Sequence, residues 1–134
     1  MLTNAIPDGD EIARALGEAV LGSWGLVQPA ITRPDGDAAA FDPALYVGRY
    51  RNLDAVFDVA AADPGLVVTT RTIAEGLEDS TEVTRLIPLG EGAFVDARAE
   101  RPTRALRFDD PDPDGRCQSY FAGRIAWRVL DRDE

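Results

Sequence analysis

Asp110-Pro111-Asp112-Pro113-Asp114-Gly115 is the segment whose residue types come nearest to a ligand site. Acidic residues at alternate positions, then glycine, open the loops that wrap calcium in hard oxygen ligands. Those loops close with a bidentate glutamate at their twelfth position. Here the twelfth residue is Phe121, prolines stiffen the turn, and the flanks read as strands. A rigid acidic hairpin loop is expected, without calcium. Ser119 and Cys117 are the nearby candidate nucleophiles, and each needs a base to activate it. The chain contains no histidine, and its 14 basic residues, from Arg14 to Arg132, are all arginine. A self-contained nucleophile triad, a histidine zinc site and lysine chemistry are thereby excluded. Carboxylate pairs remain, but none is marked as buried by its sequence setting. No catalytic, cofactor-binding or metal-ligating residue is assigned.

Two further sets of side chains could bind rather than react. Arg49, Arg51, Arg71, Arg85, Arg107, Arg124 and Arg128 fall on strand-like segments, where their forked guanidiniums could line an anion-binding mouth. The plainer expectation is an outer face cross-paired with the 24 acidic residues. Tyr46, Tyr50, Phe57, Phe94, Phe108, Tyr120 and Trp127 could wall a ligand cavity. Small barrels fill with their own side chains, so an aromatic core is expected instead.

Composition narrows the partners. A net charge of −10 argues against nucleic acid and anionic membranes, which both require a basic surface. Arginine without lysine points to a GC-rich coding bias. Cys117 is the single cysteine, so no internal disulfide forms. No charged-then-apolar leader opens the sequence, and no run is long enough to cross a bilayer, so the chain as given reads as soluble. Its length of 134 residues and 45% apolar content suit one hydrophobic core.

The elements that must position these residues divide at about residue 40. Leu2–Ile6 has strand character. Asp8 and Glu11 then mark a helix entry, followed by Ile12, Ala15, Leu16, Ala19 and Val20 on one face, with Arg14 and Glu18 opposite. Gly22 and Gly25 are stop signals. From Val27 to Asp42 the prolines and the Pro34-Asp35-Gly36 turn predict a linker. Beyond Phe41 come short strands: Leu45–Asn52, Ala55–Ala60, Leu66–Ile73, Glu82–Pro88, Ala93–Ala99, Arg104–Phe108 and Cys117–Val129, the last able to split near Gly123. Seven or eight strands at close spacing, without intervening helices, predict a mainly β chain closed into an antiparallel barrel. Tyr50, Leu66, Val68, Leu86, Leu106, Phe94, Phe108, Ile125 and Trp127 are its expected core.

Tyr46-Val47-Gly48-Arg49-Tyr50, Gly65-Leu66-Val67-Val68, Leu86-Ile87-Pro88-Leu89, Gly92-Ala93-Phe94, Leu106-Arg107-Phe108 and Gly123-Arg124-Ile125-Ala126 follow in a specific order. In that order they resemble the C-terminal lipocalin-like barrel domain appended to serine hydrolases of the class C β-lactamase and penicillin-binding-protein-like family. The resemblance covers Phe41 to about Val129. It implies that residues 1–40 are the last strand and helix of a catalytic domain plus a linker, and that residues 41–134 form the barrel. The Ser-x-x-Lys pair, the Tyr-x-Asn element and the His- or Lys-containing triplet of that bacterial family have no match here, so no catalytic role carries over. The function implied is a non-catalytic accessory domain that packs on or shields a β-lactamase-like catalytic domain. The alternative is a free-standing lipocalin-like carrier of a small molecule. An orphaned strand and helix stripe at the N-terminal end also predict a homodimer through that segment.

Overall fold

The computed structural model describes residues 9–26, 41–76, 78–99 and 105–130. Helix α1 spans Gly9–Ser23. It stops where expected. Gly25 takes a left-handed φ of 73°, and Leu26 N–H and Gly25 N–H donate to the carbonyls of Leu21 and Gly22, the paired bonds that close a helix on glycine. The Leu2–Ile6 strand, the Asp8 cap and most of the Val27–Asp42 linker lie outside the described residues. No described helix is long and apolar enough to cross a membrane.

A 3-10 turn, Pro43–Leu45, leads into eight strands: β1 Gly48–Arg51, β2 Ala55–Ala62, β3 Gly65–Thr72, β4 Thr81–Gly90, β5 Ala93–Asp96, β6 Leu106–Pro111, β7 Cys117–Phe121 and β8 Ile125–Arg128. Each pairs antiparallel with the next, and β8 returns to β1 through Tyr50↔Arg128 and Arg51↔Trp127. The result is a closed, lipocalin-like up-and-down barrel without free edges. The segment expected at Cys117–Val129 splits at the Gly123 turn, where φ reaches 93°.

Alternation along β2, β3 and β4 places Phe57, Val59, Leu66, Val68 and Leu86 inside. Tyr50, Phe94 and Phe108 join them, as expected. Edge-to-face contacts run from Phe41 and Tyr46 to Phe94, from Phe94 and Tyr50 to Phe108, and from Phe57 to Tyr120, while Phe108 stacks on Tyr120 at 4.6 Å. These rings pack against one another within the barrel's core cluster. Gly65 lets β3 approach β4 here. Its φ is 101°, and a Cβ there would overlap the Leu86 carbonyl oxygen.

The core expected in the last strand is corrected. Ile125 and Trp127 point outward and are 53% and 55% exposed, while Ala126 between them is fully buried. The reason is volume. Ala126 lies opposite Tyr120, whose ring already occupies the space against Phe57 and Phe108. A second large side chain would not fit. Leu106 is half-buried at the margin of the cluster rather than within it.

Candidate interaction surface

Arg128 shares the inward face of β8 with Ala126, two residues along the strand. Its Nε donates to the Cys117 carbonyl at 2.7 Å, Nη1 to Val47 at 2.8 Å, and Nη2 to Leu45 at 3.3 Å and the Tyr50 hydroxyl at 2.8 Å. The guanidinium also lies 5.0 Å from the Tyr50 ring centre, a cation–π distance. Gly48 permits this approach, since a Cβ there would overlap Nη1. The Tyr50 hydroxyl in turn is within hydrogen-bonding distance of the carbonyls of Tyr46 and Cys117, at 2.8 and 3.2 Å. Arg128 therefore plugs one end of the barrel and satisfies the carbonyls of Cys117, Val47 and Leu45 there. Burial pushes the Tyr50 phenol well above its usual value, against the opposing pull of Arg128.

At the opposite mouth sits an arginine absent from the sequence-based set. Arg98 reaches Glu82 at 3.1 Å, Asp96 at 3.4 Å and Thr84 at 3.5 Å. Two carboxylates already neutralise it, so it offers no free positive charge to an anion. On the outer wall Arg49 pairs with Asp58 at 2.7 Å, and Arg124 pairs with Asp54. Arg71 and Arg85 are exposed. The seven strand arginines thus do not converge on a mouth.

The two candidate nucleophiles differ in their surroundings. Ser119 Oγ donates to Asp110 Oδ2 at 3.2 Å. Cys117 is buried, and desolvation raises its thiol above the usual range, which suppresses the reactive thiolate. The acidic hairpin uses its own carboxylates. Asp112 Oδ1 accepts from the amides of Asp114 and Arg116, and Oδ2 from the Gln118 side chain. Among the described residues, no group of three or more potential ligands is arranged to hold a metal ion.

The outside of β8 offers more. Arg51, Asn52, Leu53, Ile125, Trp127, Arg128 and Val129 line an open cleft of about 520 Å³. Leu53 stands 92% exposed on the β1–β2 turn. Asn52 fixes that turn by accepting from the amides of Asp54 and Ala55 at 2.8 and 2.9 Å. Phe121, opposite Ile125 on β7, extends the apolar surface. Arg51 lies across from Trp127, and Arg107 across from Phe121. Neither arginine has an ion pair among the described residues. Leu53, Ile125 and Trp127 are thus exposed beside Arg51 on a chain of net charge −10, and contiguous exposed apolar surface marks interaction sites.

Sequence reasoning saw the β8 alternation but turned it the wrong way. The signal available was Leu53, a large apolar residue in an Asn-Leu-Asp turn, whose exposure has no local structural purpose. A second exposed apolar surface was expected on α1. Ile12, Leu16, Val20 and Trp24 are 42%, 47%, 50% and 72% exposed, with Arg14 bound to Glu18 at 2.6 Å. No protein-family model matches the chain, and no curated protein matches it.

Proposed function

We propose that this chain is a non-catalytic accessory domain of a bacterial β-lactamase-related serine hydrolase, packing on the catalytic domain through the outer face of β8. One observation carries the reading: aromatic rings occupy the barrel interior while an arginine-framed apolar cleft lies outside. A carrier needs the reverse arrangement, an open cavity with a few converging polar groups. The ordered strand segments that resemble the appended barrel of that hydrolase family supply the identity of the partner. The arginine frame suits an acidic surface on it.

The test mixes the chain with a class C-type catalytic domain from which its own barrel has been removed. The expected result is a saturable rise in the catalytic domain's melting temperature. The chain alone should hydrolyse neither a chromogenic lactam nor a short-chain ester above the buffer rate, since the sequence holds no histidine or lysine to activate Ser119 or Cys117. Turnover abolished by Ser119→Ala or Cys117→Ala would overturn the non-catalytic reading. Stoichiometric uptake of a fluorescent fatty-acid analogue, without any effect on the catalytic domain, would favour the carrier.

A further inference from the structure

We propose that the outer wall of β1–β3 binds a phosphoryl group, free or carried by a small molecule, between Arg51 and Arg71 above Val56. The proposal does not rest on the accessory reading. It follows from a surplus of positive charge at one spot on an acidic chain.

Register sets the spot. Val56 on β2 lies opposite Arg51 on β1 and opposite Arg71 on β3. Phe57 beside it belongs to the core cluster and Val56 does not, so by strand alternation Val56 faces outward. It is nevertheless only 6% exposed. Arginine stems cover apolar surface of this kind. The strands on either side of β2 stand about 10 Å apart, and stems that lean over Val56 from both bring their guanidiniums toward one point.

Charge at that point is not balanced from within. On the same face, Asp54 and Asp58 flank Val56 at alternate positions, but both are engaged. Asp54 pairs with Arg124 and Asp58 with Arg49. Arg51 and Arg71 are exposed, and neither has an ion pair among the described residues. Two like charges that converge on an apolar residue repel each other, and an anion between them removes that cost. The surplus is notable on a chain of net charge −10.

The arginines also select the anion. A planar guanidinium fork holds two oxygens of one acid group. A phosphoryl group offers three acceptor oxygens and nearly two negative charges at neutral pH, so it can meet a fork on each side and match both surplus charges. A lone carboxylate has one charge and too few oxygens for two forks. Thr81, exposed and opposite Arg71 on β4, adds a hydroxyl at the margin.

The test titrates the full chain at constant ionic strength with inorganic phosphate, phenyl phosphate and chloride, and follows the arginine Nε–H resonances by nuclear magnetic resonance. Either phosphate should shift the Arg51 and Arg71 signals saturably, and chloride should not. Tighter binding of phenyl phosphate assigns the group to an organic carrier, and tighter binding of inorganic phosphate assigns it to the free ion. Arg51→Gln and Arg71→Gln should each weaken binding by about ten-fold, the loss of one charge-assisted contact. Asp54→Asn, which releases Arg124 beside the site, should instead tighten it several-fold, a gain that a merely structural role for the arginines would not give. Far-ultraviolet circular dichroism should be unchanged in all three variants. Phosphate shifts no larger than those with chloride would overturn the proposal, and that comparison needs only the wild-type chain. Binding retained by both arginine variants, or not tightened by Asp54→Asn, would overturn it too.

Discussion

Tyr50 and Arg128 hold each other at the plugged end of the barrel, and their burial sets how the protein responds to alkali. Desolvation raises the Tyr50 phenol well above 10, and Arg128 only partly opposes it. Burial also raises Tyr46 and the Cys117 thiol. In each case the folded state keeps its proton at a pH where the unfolded chain releases it. The stability tied to these protons is fully present below the unfolded values of 9.0 and 10.0, and is lost as pH rises above them. Tyr50 alone should contribute a slope approaching about 1.4 kcal/mol per pH unit in that range. Urea melts from pH 8 to 11 should show it, with a shallower decline in Tyr50→Phe. At pH 7 that variant should lose about 1–3 kcal/mol, because Arg128 and the end carbonyls lose a buried partner. Equal slopes for both proteins would remove Tyr50 as the source. Trp127 behaves oppositely. Its exposure predicts that Trp127→Ala changes monomer stability by less than about 1 kcal/mol, whereas Ala126→Asp, placing a charge against Tyr120, should cost several times more. Denaturation midpoints that reversed this order would restore Trp127 to the core.

Strand and turn placement was legible where two signals coincided. The β2–β3 and β4–β5 hairpins fall at Asp63-Pro64-Gly65 and Gly90-Glu91-Gly92, where glycine supplies the left-handed backbone and β-branched or aromatic residues flank it. The face of β8 was not legible, because Ile-Ala-Trp-Arg alternates equally well in either sense. Only the volume already taken by Tyr120 and Phe108, and the carbonyls that Arg128 must satisfy, decide between them. Both are properties of the closed barrel. At Gly65 the close approach to Leu86 and the positive φ together make any side chain costly. Gly65→Ala should destabilise by more than about 1 kcal/mol. Gly76→Ala, where φ is 82° but no atom lies within 4 Å, should cost less. Equal losses would mean that β3–β4 spacing does not depend on the glycine. In the acidic hairpin, Asp112→Ala should lower stability by about 1 kcal/mol through three lost hydrogen bonds to one carboxylate. Millimolar calcium should raise the wild-type melting temperature no more than magnesium does. A saturable calcium-specific shift, lost in Asp112→Ala, would give the loop a metal after all.

At the scale of the molecule, eight strands close around a run of aromatic rings, and the proposed function places recognition on the outside. The fold class was readable from strand spacing and the absence of helical periodicity after Phe41. The proposed interaction surface was not, since it combines a turn residue, Leu53, with side chains from β1, β7 and β8 that are distant in sequence. Hydrogen–deuterium exchange on the chain, alone and saturated with a barrel-less class C-type catalytic domain, tests the central claim most directly. The account predicts slowed exchange confined to the β1–β2 turn around Leu53 and to β8 from Ile125 to Arg128, with Glu82, Thr84 and Asp96 at the mouth around Arg98 unchanged. Protection at that mouth with none along β8, or no protection anywhere, would contradict it.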